Sequence, residues 1–421
     1  MISDVGVIAA AALTPSPARE RERHTVSVTD SNVFCVLPWS HLCASVDGVW
    51  GRCCVDASMY HEKYYSERAE PAFALNGDAL GCAAGSRYAT ANPGRTMSLI
   101  DAYNSDNMRR TRLAMLAGEP VSACSYCYER EAGGGESYRQ KASRILADEI
   151  DVTELVAATR ADGSVAGFPI YLDFRFGNSC NLKCIMCGYP VSSRWGLDKH
   201  PSWAPAHIDP YRDDETLWSV LREHASVLRR VYFAGGEPFM QPGHFRLLDI
   251  LHEEQAAGHV RLAYNSNLTI LPTGVLQKLA PFRSVEIGAS CDGTTDLFER
   301  IRTGAKWDDF VRNLRLVKQH ATVWLAVAPQ RDNVLSLGDI IDFAAAEGVA
   351  VDLTNFVHWP RRLCVRSLPE QDKQRACEYL GRLISGQLAA EQHEVAAQLT
   401  ALRTFMLDQA RVDDQPAPAN G

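Results

Sequence analysis

Six short runs rich in β-branched and aromatic residues recur between residues 168 and 360, and segments long enough to form helices separate them. Short strands that alternate with helical segments are typical of βαβ units and a parallel sheet. The pattern therefore predicts an α/β fold, a partial (βα)6 barrel similar to a TIM barrel, with reactive groups on loops at the carboxyl ends of the strands. We place the strands at Ile170–Phe176, Arg230–Phe233, Val260–Tyr264, Ser284–Ala289, Thr322–Ala328 and Ala350–Asn355.

Length and composition limit which other domains and partners this barrel can have. The chain has 421 residues, of which 46% are hydrophobic, so it can bury a barrel core and one smaller module. We predict a disordered N-terminus at 1–30, a cysteine-rich module at 31–140, the barrel at 168–360, a helical segment at 361–410 and a disordered tail at 411–421. A net charge of -8 argues against a nucleic-acid partner. No run reaches membrane-spanning length and no signal peptide is convincing, which predicts a cytoplasmic protein without a membrane partner.

Three cysteines follow the first predicted strand with the spacing Cys180-x3-Cys184-x2-Cys187. Thiolates are the usual ligands of iron-sulfur clusters, and three of them leave one iron of a four-iron cluster open. A structural zinc site is the alternative, but such a site needs four ligands. No fourth Cys or His lies nearby in the sequence. The spacing therefore favours a catalytic iron-sulfur site.

The segment Asn178-Ser-Cys-Asn-Leu-Lys-Cys-Ile-Met-Cys187 resembles the signature loop of the radical S-adenosylmethionine (SAM) superfamily. The resemblance implies that Cys180, Cys184 and Cys187 hold a 4Fe-4S cluster that binds SAM and cleaves it to a 5'-deoxyadenosyl radical, which abstracts a substrate hydrogen. It also implies an external one-electron reductant such as flavodoxin or ferredoxin. Met186 stands where many members carry an aromatic residue against adenine, and its thioether can cover the same face.

Later segments match further motifs of that superfamily, in the same order. Gly235, Gly236 and Glu237, in Ala-Gly-Gly-Glu-Pro, resemble the GGEP motif, which implies that Glu237 accepts the amino group of SAM. The same comparison assigns SAM contacts to four polar side chains, for which loop capping is the ordinary alternative. These are Asn265, Asn267, Ser290 and Arg302, with Arg300 as a competitor for the last.

A second cysteine pattern lies in the N-terminal segment. Cys35 precedes Gly48 and Cys53, and Cys124 and Cys127 follow downstream. This resembles the twitch and SPASM modules that hold an auxiliary 4Fe-4S cluster, although the module usually follows the barrel. Cys54 competes with Cys53, and a zinc ribbon is an alternative because paired cysteines suit both metals.

The reaction itself is less constrained by sequence. The segment before Cys35 is too short for a leader-binding domain, which favours a small molecule, such as a sugar, nucleoside or aminoglycoside-like metabolite of natural-product biosynthesis, over a peptide. Cys291 and Cys364 are candidate hydrogen donors, so epimerisation is narrowly favoured. The alternative is a dehydrogenase or peptide-modifying enzyme in which the auxiliary cluster accepts an electron. A non-catalytic iron-sulfur electron-transfer or maturation protein is a further alternative, which the intact SAM motifs disfavour.

Overall fold

The computed structural model describes residues 31–56, 78–86, 88–90, 92–133, 135–198 and 207–408. Within these residues the strands are β1 (His41–Ala44), β2 (Val49–Gly51), β3 (Gly81–Cys82), β4 (Tyr171–Phe174), β5 (Arg230–Phe233), β6 (Arg261–Ser266), β7 (Ser284–Ser290), β8 (Thr322–Ala326) and β9 (Ala350–Asp352). They form a nine-stranded sheet in the order β3-β2-β1-β4-β5-β6-β7-β8-β9. The two segments predicted to be disordered, 1–30 and 411–421, lie outside the described residues.

Helices connect and cover the strands. Their bounds in the described residues are α1 (Leu37–Ser40), α2 (Leu99–Tyr103), α3 (Asp106–Leu116), α4 (Ser125–Ala132), α5 (Tyr138–Leu146), α6 (Val152–Ala157), α7 (Ser193–Asp198), α8 (Glu215–Glu223), α9 (Pro242–Glu253), α10 (Val275–Leu279), α11 (Thr295–Ile301), α12 (Trp307–Val317), α13 (Leu337–Glu347), α14 (Glu370–Ala389) and α15 (His393–Leu407). In the described part of the chain, no helix combines the length and the apolar character that crossing a membrane would require.

The six predicted strands all overlap observed ones, β4 to β9, and each neighbouring pair of these is parallel. The predicted α/β fold with a mostly parallel sheet is therefore confirmed. The strands could be predicted because β-branched and aromatic residues recur in them and helices such as α8, α9 and α12 separate them. The ends differ by a few residues, as is usual where strands fray into loops.

The cysteine-rich segment is joined to this sheet rather than set apart from it. Strand β1 pairs in parallel with β4 over its whole length, from His41 opposite Tyr171 to Ala44 opposite Phe174. Strands β2 and β3 continue the sheet in antiparallel pairs. The sequence did not indicate this, because His41–Ala44 contains no β-branched residue. The segment that we expected to be a separate module thus shares a sheet with the barrel strands.

The two faces of the sheet are buried to different degrees. On β7 and β8, Ile287, Val323 and Leu325 are buried in the hydrophobic core, whereas Glu286 and Trp324 are partly exposed. Successive side chains of a strand point to opposite faces, so the pattern separates an apolar face under the helices from a second, accessible face. We call the second the open face. Its partly or fully exposed side chains on β5 to β8 are Tyr232, Arg261, Asn265, Ser284, Glu286, Ser290, Thr322, Trp324 and Ala326.

If β1 is part of the same cooperative core, replacing Leu42 by alanine should destabilise the whole protein. Leu42 is 1% exposed, and truncating a buried leucine costs about 2–5 kcal/mol. The measurement is urea unfolding followed at two wavelengths. Leu388→Ala on α14, where the side chain is 49% exposed, should change the free energy of unfolding by less than about 0.5 kcal/mol. Separate unfolding of a small N-terminal unit in Leu42→Ala would contradict the shared core.

Candidate active site

The loop after β4 carries three thiols that lie close to one another. We call residues 180–187 the three-thiol loop. The thiols of Cys184 and Cys187 are hydrogen-bonded to each other, and Cys180 interacts electrostatically with both. The backbone N–H of Leu182 donates to Cys180 Sγ at 3.4 Å, a contact that stabilises a thiolate. The structure thus brings the three predicted cluster ligands together.

The pKa values of the thiols in this loop are shifted, and metal binding would require these thiols to lose their protons. Burial raises the pKa of the Cys180 thiol to about 11. The hydrogen bond from Cys187 lowers the pKa of Cys184, and the same bond raises that of Cys187. In the described residues, no three His, Cys, Asp or Glu side chains are arranged for a single metal ion. Metals bind thiolates, and a four-iron cluster with three protein ligands takes one thiolate on each of three irons, so the three thiols fit such a cluster.

The loop after β5 packs directly on the three-thiol loop, and its glycines make this possible. The backbone N–H of Gly236 donates to Gly177 O at 2.9 Å, and that of Glu237 donates to Ser179 O at 2.8 Å. A Cβ at Gly236 would lie 2.3 Å from Ser179 O, and Gly235 has a φ of +108°. Only glycine accommodates this close approach and backbone conformation. The predicted GGEP turn therefore adjoins the thiols.

Glu237 is held rigidly inside this turn. It is 1% exposed and accepts hydrogen bonds from Ser266 Oγ at 2.7 Å and from the N–H groups of Asn267 and Phe239 at 2.8 and 3.2 Å. Burial outweighs these donors and raises the pKa of Glu237 to about 7. A carboxylate has about four acceptor sites, so it can accept a further N–H from a ligand. Sequence reasoning missed Ser266, whose only signal was its place at the end of β6.

The other residues predicted to contact SAM lie near the same edge of the sheet, with differing exposure. Asn267 Nδ2 donates to Asn181 Oδ1 at 2.9 Å and lies 3.9 Å from Cys180 Sγ. Asn265 is exposed, and Ser290 and Met186 are partly exposed. Asn265 and Ser290 belong to the open face, so both are accessible to a ligand beside the thiols.

Arg302 forms a buried ion pair next to the three-thiol loop. Its Nη2 lies 2.6 Å from Asp292 Oδ2, and its Nη1 lies 3.9 Å from Cys184 Sγ. Its Nε has no hydrogen-bond partner among the described residues. The competing Arg300 is exposed. Sequence reasoning missed Asp292, which follows β7 directly and whose only signal was that position.

A second group of thiols gathers in the N-terminal segment. We call Cys35, Cys53, Cys124 and Cys127 the four-thiol group. Electrostatic interactions link Cys35 to Cys124 and Cys127, and link Cys53 to Cys35 and Cys124. Backbone N–H groups of Tyr138 and Arg139, at the start of α5, hydrogen-bond Cys127, and that of Leu37 hydrogen-bonds Cys35. Sulfur atoms that accept backbone N–H bonds are suited to carry the negative charge of a metal thiolate.

Cys54 lies in different surroundings from Cys53. It interacts with Asp173, Arg175 and one thiol of the group, Cys127, and is hydrogen-bonded by Tyr138. Cys53 interacts with two thiols of the group, Cys35 and Cys124, and with Cys54 itself. Burial raises the pKa of Cys54 to about 12. These contacts favour Cys53 as the fourth member of the group.

The two predicted hydrogen donors are enclosed. Cys291 is 0% exposed, belongs to the hydrophobic core and donates its S–H to Gly293 O at 3.2 Å. Burial raises the pKa of its thiol to about 12. Cys364 is 7% exposed, between two short 3-10 turns. The structure therefore places neither thiol with the accessible side chains of the open face.

Comparison with known proteins identifies the central part of the chain. Residues 174–327 match the profile of the Radical SAM superfamily. Native anSMEcpe with bound AdoMet is 15% identical, with a TM-score of 0.41, over 52% of this chain and 62% of that chain. Streptococcus suis SuiB bound to S-adenosylmethionine is 14% identical, with a TM-score of 0.38, over 67% and 62%. This chain thus spans 62% of the length of both proteins. No curated protein matches the sequence. The similarity to the Radical SAM superfamily therefore extends from the end of β4 to just beyond β8.

Proposed function

We propose that the chain is a radical SAM enzyme that cleaves SAM reductively and abstracts a hydrogen atom from a small molecule. The observation that carries the proposal is the meeting of Cys180, Cys184 and Cys187 with the buried carboxylate turn at Glu237. Both loops follow parallel strands, and the reactive groups of such folds lie at the carboxyl ends of the strands. A cluster held by these thiolates would supply the electron that cleaves SAM.

Around the cluster, the chain's own residues would bind and orient SAM. Glu237 accepts hydrogen bonds from the amino group of SAM through its remaining lone pairs. A hydrogen bond between a carboxylate and an ammonium group is charge-assisted and therefore stronger than a neutral one. Arg302, with its unpartnered Nε, binds the carboxylate of SAM. Asn265, Asn267 and Ser290 bind the ribose or the carboxylate, and Met186 covers the adenine. Each of these assignments rests on position beside the thiols and on the chemistry of the side chain.

The open face supports a polar small molecule as substrate. Glu286 is 27% exposed there and is paired with Arg230 at 2.7 Å, and Trp324 presents a partly exposed ring. An aromatic ring among a few placed polar groups is typical of small-ligand sites. A sugar, nucleoside or aminoglycoside-like metabolite of natural-product biosynthesis fits these groups, because its ring can stack on Trp324 while its hydroxyl or amino groups bond the carboxylate.

We also propose that the four-thiol group holds a second 4Fe-4S cluster. What supports this is the set of N–H donors on Cys35 and Cys127 and the proximity of the Arg139 guanidinium to both thiols. Positive charge and hydrogen bonds stabilise a thiolate-bound cluster. A structural zinc ion is the competing occupant, since zinc also binds four cysteine thiolates.

The fate of the substrate radical divides the proposal into two reactions. Epimerisation needs a thiol that reaches the substrate, and the enclosure of Cys291 and Cys364 weakens this candidate. Oxidation needs an electron acceptor, which a cluster in the four-thiol group would supply. We therefore favour dehydrogenation, in which the substrate loses one hydrogen atom, one proton and one electron, over epimerisation.

The first experiment asks whether the anaerobically reconstituted protein forms 5'-deoxyadenosine from SAM with dithionite. Formation is expected, and its absence from protein that contains the full iron complement would contradict the enzyme proposal. A second experiment runs the enzyme with a substrate in deuterated water and distinguishes dehydrogenation from epimerisation. A product two mass units lighter and free of deuterium indicates oxidation. Incorporation of one deuterium indicates epimerisation, because a thiol exchanges its hydrogen with water.

Replacing Glu237 by glutamine should weaken SAM binding in a pH-dependent way. A hydrogen bond to a charged group contributes about 1.5–3 kcal/mol, so at pH 8 the dissociation constant should rise at least about tenfold. Because burial raises the pKa of Glu237 to about 7, the wild-type carboxyl is largely protonated at pH 6 and much of that advantage is lost. Isothermal titration calorimetry at each pH gives the ratio of the dissociation constant of the variant to that of wild type. The ionisation of SAM changes both constants equally, so it cancels in this ratio. An equal ratio at pH 6 and pH 8 would contradict the role.

A further inference from the structure

A buried ion pair lies against the three-thiol loop. The side chains of Asp292 and Arg302 are 0% and 11% exposed, and Asp292 Oδ2 lies 2.6 Å from Arg302 Nη2. The other terminal nitrogen, Nη1, lies 3.9 Å from Cys184 Sγ. The positive end of the pair therefore faces a thiol of the loop, and the carboxylate holds the guanidinium from another side.

The chain fixes both members of the pair in place. The backbone N–H of Ala328 donates to Asp292 Oδ1 at 2.7 Å, which ties the carboxylate to the end of β8. The residues on either side of Arg302 bind the three-thiol loop directly. Lys183 N–H donates to Thr303 O at 2.8 Å, and Ile185 N–H donates to Ile301 O at 2.9 Å. The guanidinium thus keeps a constant position relative to Cys184.

Stability alone does not account for this pair. Burying two charges carries a desolvation cost that their attraction offsets only partly, and apolar residues of similar size are often at least as stable. Nearby positions along the chain are buried and apolar, with Ala289 and Phe298 both 0% exposed. A charge pair at this position is better explained by an effect on a neighbouring group.

Reduction makes an iron-sulfur cluster more negative, so a nearby positive charge favours the reduced state and a negative charge disfavours it. Arg302 therefore raises the reduction potential of a cluster bound through Cys184. Asp292 opposes Arg302 and keeps the potential lower. SAM cleavage requires the cluster to give up its electron, so a potential that is too high would slow the reaction.

We infer that the Asp292–Arg302 pair sets the reduction potential of the cluster held by Cys180, Cys184 and Cys187, with Asp292 as the residue that keeps it reducing. This rests on the proposed function, since it requires that cluster. Asp292 is a positioning residue here, because it acts through Arg302. Its expected signature is electrochemical rather than a loss of folding.

The test is a redox titration followed by electron paramagnetic resonance, on wild type, Asp292→Asn and the double variant Asp292→Asn/Arg302→Gln. The signal that changes when SAM is added to the wild-type protein identifies the SAM-binding cluster, and the same signal is then followed without SAM in all three proteins. Asp292→Asn leaves Arg302 unopposed, so the reduction equilibrium should become at least about tenfold more favourable, which is about 59 mV for one electron. The double variant also loses the charge of Arg302, which lies nearer to the cluster than Asp292 does. Its midpoint reduction potential should therefore fall below that of wild type. Under saturating reductant, Asp292→Asn should form 5'-deoxyadenosine more slowly than wild type.

A control variant and the following outcomes test the role of the Asp292–Arg302 pair. Glu215→Gln removes a carboxylate from an exposed ion pair with Arg246 and should leave the midpoint unchanged. Equal midpoints in wild type, Asp292→Asn and the double variant, or a lower midpoint in Asp292→Asn, would overturn the inference. If the unpaired Arg302 prevents Asp292→Asn from folding, the double variant decides alone, and a midpoint equal to wild type overturns the inference. Wild-type protein that binds no cluster through the three thiols would instead refute the proposed function.

Discussion

Replacing Cys184 by alanine is expected to remove about four irons per chain and to abolish formation of 5'-deoxyadenosine from SAM. Cys184 is 5% exposed, and its thiol is hydrogen-bonded to that of Cys187 beside Cys180. Two remaining thiolates cannot hold a four-iron cluster that already lacks one protein ligand. The measurements are iron and sulfide analysis of the reconstituted protein and chromatography of the nucleoside product.

A matched cysteine variant separates this effect from general loss of thiols. Cys377 is partly exposed on α14, and Cys377→Ala should keep the full iron content and wild-type SAM cleavage. Cys184→Ala protein that retained its iron and cleaved SAM at the wild-type rate would show that the three-thiol loop does not hold the catalytic cluster.

The second large effect is expected at the four-thiol group. Cys124→Ala should lower the iron content from about eight to about four atoms per chain, because it removes one of four ligands of the second cluster. SAM cleavage without substrate should persist, since the three-thiol loop is intact, whereas formation of an oxidised product should fall below detection. Iron analysis, nucleoside formation and product mass together give this result.

The neighbouring pair Cys53 and Cys54 supplies the control. Cys53 interacts with two thiols of the group, Cys35 and Cys124, whereas Cys54 interacts with only one, Cys127, and mainly with Asp173, Arg175 and Tyr138. Cys53→Ala should therefore lose the same irons as Cys124→Ala, and Cys54→Ala should retain them. Loss of zinc rather than iron from Cys124→Ala would identify a zinc site, and unchanged metal content would refute a metal at this group.

Much of the fold could be predicted from the sequence, because β-branched and aromatic residues recur at the positions of β4 to β9 with helical segments between them. Strand β1 could not, since His41–Ala44 has no β-branched residue and its partner β4 lies far along the chain. The four-thiol group shows a related limit. Spacing selected Cys35, Cys53, Cys124 and Cys127, but the surroundings that favour Cys53 over Cys54 arise only when residues such as Asp173 are packed nearby.

The candidate site was likewise predictable only in part from the sequence. Motif order placed Glu237 beside the thiols, but its donors Ser266 and Asn267 come from another strand and its raised pKa comes from burial. The partner of Arg302 was also missed. Asp292 is an unremarkable acid in the sequence, and only folding brings it to 2.6 Å from the guanidinium beside Cys184.

The paired strands β1 and β4 lie between the two thiol groups. Cys35 comes before α1 and β1, whereas Cys180 comes after β4, so the groups lie toward opposite ends of two hydrogen-bonded strands. Each strand has four residues, a length of about 13 Å. An electron passing between the two proposed clusters would therefore travel along a strand ladder rather than across a flexible linker. Changing the length of that ladder would require breaking backbone hydrogen bonds.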